Sequence, residues 1–330
     1  MAVQQQVQPQ ALDAETLLTT EELSQFQIVW RRFRKHRLAL IGGVIVIFFV
    51  SVALLADVLA PTVPPGYGAI RLEGALLPSP RAVNPAFQHL GPFERSDQAM
   101  HILGTDEVGR DILARLIHGA RVSLYVGIAA MLGGEIIGSL LGAASGYYGG
   151  RVDALMMRVT DFMLTLPQLP ILLVLSAALS GRISSEFWRI NFLILILVIF
   201  GWMGSARLVR SVVLSLREQE FTEASKSLGA SDLRIILRHM LPNAMSIIIV
   251  NATLAVAGLI IVESALSFLG FGVQPPTPSW GNMLTRVQDY MFQNPTLAIW
   301  PGLCIFLTVL SINFVGDGLR DALDPRLRNE

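Results

Sequence analysis

A chain of 330 residues suffices for one large domain or two soluble ones, but 52% of these residues are hydrophobic, only 15% are charged, and the mean hydropathy is +0.55. Apolar runs of about 20 residues, long enough to cross roughly 30 Å of hydrocarbon, exclude an ordinary soluble domain and make this a multi-spanning membrane protein. The formal net charge of zero hides an uneven distribution along the chain. A single cysteine, Cys304, excludes an intrachain disulfide.

Residues 1–27 are Gln-rich and acidic, with no core-forming pattern. No apolar segment of a cleavable signal peptide is evident there. Trp30 to Arg37 is a basic, aromatic-flanked collar directly before the first span, where an inside anchor is a better reading than a nucleic-acid patch. The first span is expected over 38–60. Residues 61–119 form a Pro-bearing loop with no run long enough to cross. Near its end stand His101, Asp106, Asp111 and His118. Their spacing fits no compact metal-ligand pattern, and helix capping and salt bridges are expected of them instead.

The second span, expected over 122–146, carries Gly134, Gly138, Gly142 and Gly146. Small residues on one face let helix backbones approach closely in lipid. Asp153 is a candidate cap for the helix after the 147–151 turn. The third span centres on 163–179 and contains Pro167 and Pro170, which predict a kinked helix. The fourth, fifth and sixth spans are expected over 190–208, 245–268 and 297–315.

Between the fourth and fifth spans lies a charged island, REQEFTEASKSLGASDLRIILRHMLPN, over 217–243. It reads as two short helices. Gly229 ends the first in a left-handed backbone that carries no Cβ clash there. Ser231 caps the second, with Asp232 in its first turn. Pro242 is expected to close it and Asn243 to cap the run that follows. Phe221, Leu228, Leu233, Ile236 and Leu237 give the pair an apolar stripe suited to docking a partner at the membrane surface; a solvated connector is the alternative.

Six spans put both termini on one side. Of the 25 Lys and Arg residues, 16 lie in 1–37, 146–159, 207–241 and 316–330, and 9 in 61–121, 181–190 and 271–297. The first set is therefore expected inside, which makes the hairpin and both termini cytoplasmic.

Glu223, Ala224 and Ser225, then Gly229, then Leu241 and Pro242 resemble the coupling loop of permease subunits in prokaryotic ATP-binding-cassette importers. Ser225 stands where that pattern has Ala, and His239 where many members have Ile. Further blocks are LGTDEVGRD at 103–111, YYGG at 147–150, ESALSFLG at 263–270, PPTPSWG at 275–281 and GDGLRDALDP at 316–325. Taken in order over 30–328, they are similar to the C-type permease of the dipeptide, oligopeptide and nickel importers.

The resemblance implies an all-α polytopic fold of six transmembrane helices, the type I importer permease fold. Residues 1–37 would be a tail with its collar, 38–60 the first transmembrane helix and 61–119 an extracytoplasmic loop. Residues 120–315 would be a five-helix core carrying the coupling loop at 217–243, and 316–330 a second tail. It also implies a multi-pass subunit of the prokaryotic plasma membrane that forms half of a translocation pathway for di- or oligopeptides. The implied partners are a homologous B-type permease, two ATPase subunits, a solute-binding protein and the lipid bilayer, with no nucleic acid. Phe221, Glu223, Ala224, Ser225, Gly229, Leu241 and Pro242 would contact the ATPase.

No phosphate-binding Gly-rich loop is present, so the chain is not expected to bind ATP by that route; the resemblance implies a transport component, not an enzyme, with no cofactor or metal of its own. ATP and magnesium would sit on the ATPase partners. Glu135 and Glu263, carboxylates within spans, are pathway or gate candidates by their cost in lipid; structural pairing is the reading ranked first. A proton-coupled secondary carrier using these two groups is the alternative function. A membrane hydrolase lacks a compact nucleophile–base motif.

Overall fold

The computed structural model describes residues 25–62, 76–96, 100–180, 183–292 and 294–324. Most of the Gln-rich segment 1–27, Pro64 and Pro65 in the long loop, and 325–330 of the tail lie outside the described residues.

In chain order the helices are α1 (Gln25–Phe33), α2 (Arg37–Leu54), α3 (Ala56–Leu59), α4 (Ile112–Tyr148), α5 (Gly150–Thr165) and α6 (Gln168–Ser180). They continue with α7 (Glu186–Arg217), α8 (Glu220–Ser227), α9 (Asp232–Ile235), α10 (Leu241–Phe268), α11 (Val287–Tyr290) and α12 (Thr296–Leu323). A two-residue antiparallel pair, β1 (Glu94–Arg95) with β2 (Met100–His101), lies in the long loop. Among the described residues, five helices are long and apolar enough to cross a membrane, and six spans result if the bent pair α5–α6 counts as one. The spans overrun their apolar centres: α4 reaches 37 residues and α7 32. The bundle therefore has a hairpin end, where α8 and α9 sit, and a loop end, where 76–96, 100–111, 269–292 and 294–295 sit.

The third span is broken rather than kinked. α5 and α6 meet at 81°. Pro167 has no N–H to continue a helix, and it forces Leu166 before it into extended backbone, at ψ 137°. Gln168 answers part of the break by donating from Nε2 to the Phe200 carbonyl on α7 at 2.8 Å.

Two expected caps are corrected. Asp153 does not cap α5, whose N-cap is Gly149 at φ +65°; its carboxylate instead pairs with Arg210 on α7 and accepts from Ser145. Pro242 does not close a helix, nor does Asn243 cap one. The chain from Asp232 to Phe268 runs on through a π turn at Ile236–Met240, in which Leu241 N reaches back five residues to Ile236 O. That wider turn absorbs the N–H missing at Pro242, and the Asn243 amide donates to the His239 carbonyl at 2.6 Å.

α4 organises the bundle. Its glycines lie against α7, which runs in the same direction. A Cβ added at Gly138 would fall 2.5 Å from Trp202 O, and at Gly142 2.4 Å from Ala206 O. No side chain of any size fits there, so the four-residue rhythm serves contact within the chain. At the loop end Trp280 is fully buried, packs edge-on to Phe49 of α2 at 5.4 Å and donates from Nε1 to Leu116 O at 3.0 Å.

Candidate functional site: the charged hairpin and the carboxylates within the spans

α8 begins where Gln219 takes extended backbone after α7, with Glu220 and Glu223 in its first turn. Thr222 is buried and donates to Leu216 O at 2.9 Å, which fixes the exit from α7. Ser225 turns its hydroxyl back onto Phe221 O at 2.7 Å, one helical turn away. Gly229 has φ +78° and no atom within reach of an added Cβ, so the backbone conformation alone demands glycine there. Ser231 occupies the N-cap of α9, but its side chain makes no capping hydrogen bond.

The expected stripe splits in two. Ile236 is buried, together with Ile235 and Met240, against Val209 and Val213 of α7 and Tyr147 of α4. Leu228, Leu233 and Leu237 face outward, 88%, 65% and 45% exposed. Phe221 is half-buried, with its ring 6.5 Å from that of His239. Glu223, Ala224, Gly229 and Pro242 are exposed, whereas Ser225 and Leu241 are half-buried. The hairpin thus presents apolar and charged groups side by side on a base that is firmly packed.

Sequence reading missed the contact that sets this base. Tyr147 donates its hydroxyl to Asp232 Oδ1 at 2.8 Å, and Lys226 Nζ lies 5.1 Å from the centre of the same ring. One aromatic side chain at the end of α4 therefore holds both hairpin helices, by a hydrogen bond and by a cation over its face. The Arg210–Asp153 pair ties α7 to α5 close by.

Glu135 and Glu263 lie in separate networks. Glu135 on α4 accepts from Ser205 of α7 at 2.7 Å, Asn251 of α10 at 2.9 Å and Ser139 at 3.5 Å. It borders a mostly apolar groove of about 590 Å3 between α2, α4, α10 and α12. Glu263, with no exposed surface, accepts from Ser267 at 2.7 Å, Ser123 at 3.1 Å and Ser264 at 3.4 Å. Ser123 in turn accepts from Trp280 N at 3.2 Å. Hydrogen bonding of this kind offsets much of the cost of burying a carboxylate. The partners were missed because serines inside an apolar run look unremarkable; Asn251, a polar amide in mid-span, was the signal available.

In the loop region the four candidate ligands do not converge. His101 Nδ1 bonds Asp111 Oδ2 at 2.7 Å while its Nε2 meets Ser96 at 3.1 Å. His118 Nε2 bonds the Ala60 carbonyl at 2.7 Å, and Asp106 pairs with Arg110. Asp111 also caps α4 through Ala114 N. Serine, histidine and aspartate stand in line, as a hydrolase would need, but Asp111 is committed to the cap, and Ser96 borders neither the groove between α2, α4, α10 and α12 nor the recess at the start of α4. The arrangement fastens the β1–β2 loop to α4.

Two family descriptions match the chain: the binding-protein-dependent transport system inner membrane component over 138–329, and the N-terminal membrane domain of oligopeptide transport permease C over 24–73. The chain is 38% identical over 307 residues to the dipeptide transport system permease protein DppC of Alkalihalophilus pseudofirmus, covering 93% of this chain and 92% of the relative. Identity is 37% over 319 residues to the glutathione transport system permease protein GsiD of Escherichia coli, covering 96% of each. To the dipeptide permease DppC of Bacillus subtilis it is 37% over 307 residues, 93% of this chain and 87% of the relative. The matches leave the secondary-carrier alternative without support. The chain belongs to the binding-protein-dependent transport system inner membrane components, as a C-type permease subunit of the ATP-binding-cassette importers.

Proposed function

We propose that this permease imports short peptides, with di- or oligopeptides as cargo, as half of a pathway completed by a homologous B-type permease. The relatives named for dipeptide and glutathione transport support this cargo class. Two ATPase subunits, which hold ATP and magnesium, dock on the hairpin from the cytoplasm, and both termini lie on that side of a prokaryotic plasma membrane. A solute-binding protein delivers cargo to the 61–119 and 271–297 loops.

The observation that carries the reading is the hairpin itself. Leu228, Leu233 and Leu237 stand out from a base that Tyr147 fixes to α4. A solvated connector needs no exposed leucines, whereas a docking surface buries them. A force applied to α8 and α9 passes directly into α4 and α7, the tightly packed pair. Glu223, in the first turn of α8, and Gly229, in its left-handed turn, set the shape of that surface.

Purification of the tagged chain in mild detergent is expected to recover a second permease and ATPase subunits. The reconstituted assembly should accumulate labelled alanyl-alanine only with ATP and binding protein. Gly229→Pro or Glu223→Ala should leave the assembly inserted while ATP hydrolysis proceeds without uptake. Uptake by this chain alone, driven by a pH gradient, would overturn the proposal.

A further inference from the structure

At the loop end a recess of about 300 Å3 opens between the start of α4, the end of α10 and the 270–287 segment. Its size is at the lower end of small-ligand sites, roughly 300–1,000 Å3. Deep in it lies Arg115, only 3% exposed. Its Nη1 makes no hydrogen bond among the described residues. Asp106 Oδ2 stands 3.5 Å away, near enough to attract but not bonded. A buried guanidinium donor without an acceptor is costly and calls for a partner.

Asp106 is already engaged. Its Oδ1 accepts from Val108 N at 3.0 Å and Arg110 N at 2.9 Å, and its Oδ2 from Arg110 Nε at 2.7 Å. Arg110 reaches Glu107 as well, at 3.3 Å. The neutral groups on the wall are bonded too: Ser267 to Glu263, Asn282 to Val273 O and Thr277 O, Thr285 to Ser267 O, and Gln274 to Gly270 O. Arg286, exposed at the rim, makes no ion pair among the described residues. Three arginines therefore face two carboxylates, and the recess is one negative charge short. The remaining wall is apolar, from Ile112, Met283, Val287 and Leu297.

We propose that this recess binds the terminal carboxylate of a short peptide, with Arg115 and Arg286 as its cationic contacts and the apolar wall receiving the last side chain. The chemistry required at this end of the ligand is an acceptor-only carboxylate attached to a small apolar body. Guanidinium groups suit a planar carboxylate, and the volume exceeds what a lone acidic side chain fills. This assignment rests on the peptide-import reading and extends it by placing a cargo contact on the permease itself, at the end where cargo arrives.

The test is equilibrium dialysis of the full chain, purified in detergent with its accompanying subunits, against labelled alanyl-alanine, alanyl-alanine amide and acetate, with neither ATP nor binding protein. The dipeptide should bind, the amide at least tenfold more weakly, and acetate more weakly than the dipeptide for want of the apolar body. Arg286→Ala, a substitution at an exposed site that leaves the fold alone, should weaken the dipeptide about tenfold and leave the amide unchanged, the loss expected for one charged hydrogen bond. Arg115→Met should abolish the preference for the free carboxylate.

Equal binding of dipeptide and amide would overturn the site, as would no dipeptide binding by the folded chain, which means that water alone fills the recess. Acetate binding as well as the dipeptide would leave a small-anion site and no peptide site. If Arg286→Ala left dipeptide binding intact and weakened docking of the binding protein, the occupant would be an acidic side chain of that protein, and the proposal would fail. Because no transport is read, a failed uptake assay leaves this result standing, and failed binding with uptake intact removes this site alone.

Discussion

Along α4, the stripe turned to α7 and the stripe turned to the groove are built from different residues. Gly134, Gly138, Gly142 and Gly146 bring the first to backbone contact, and all four are buried. Leu132, Ile136 and Leu140 form the second, 50%, 58% and 45% exposed beside a groove of about 590 Å3. The stripes are offset by two residues, about 200° around a helix of 3.6 residues per turn. One face is therefore completed by this chain's own α7, and the other stays open within this chain. Both repeat every four residues, so period alone does not distinguish them; side-chain size does.

The largest effect expected is from Gly142→Val. The added Cβ would lie 2.4 Å from the Ala206 carbonyl and 3.0 Å from its Cα. Backbone on both sides cannot yield as a flexible side chain does, so the loss should reach about 3 kcal/mol or more, at or beyond the usual range for overpacking. Thermal unfolding in detergent, followed by size-exclusion chromatography, measures it. A well-folded variant of unchanged melting temperature would mean that the α4–α7 contact does not hold the bundle.

Glu135→Ala comes next. It leaves Ser205 and Asn251 without their shared acceptor, at a cost of about 2 kcal/mol. Glu135→Gln should lose less than half of that, since an amide can accept from Ser205 and pair with a turned Asn251 amide. Equal losses from the two substitutions would show that the carboxylate's charge, not its hydrogen bonds, is what the site requires.

These two sites also mark how far the sequence could be read. Spans, hairpin and glycine rhythm were legible because apolar length and small-residue spacing are local properties of the chain. The partner of the glycines was not, since a stripe of small residues says that a backbone approaches and not whose. Tyr147 escaped for a related reason: its bond to Asp232 joins residues 85 apart. Pro242 misled because proline ends a helix by default, whereas here a π turn carries the helix through. Pro167 did break its helix, but the 81° angle depends on packing against α7 as well as on the proline.

Leu228→Asp and Leu233→Asp should change stability by no more than about 0.5 kcal/mol, as surface substitutions do, because both side chains already face outward. Recovery of the ATPase subunits with the tagged chain should nevertheless fall several-fold. Unchanged recovery would favour the solvated connector.

The finest division of the two faces of α4 comes from adding bulk to the open one. Ile136→Trp enlarges a side chain that is 58% exposed on the groove side of α4. An apolar indole is at home in lipid, so the chain by itself should insert and unfold as before, in contrast to Gly142→Val six residues away on the opposite face. If the groove is where the second permease packs, the same indole would collide with that helix, and the second permease should be lost from the purified assembly while this chain is recovered in full. A stable chain that still retains its partner permease would place the partner elsewhere and leave the groove to lipid. Loss of the chain itself would mean that the groove face is packed as tightly as the glycine face, and the distinction between them would fall.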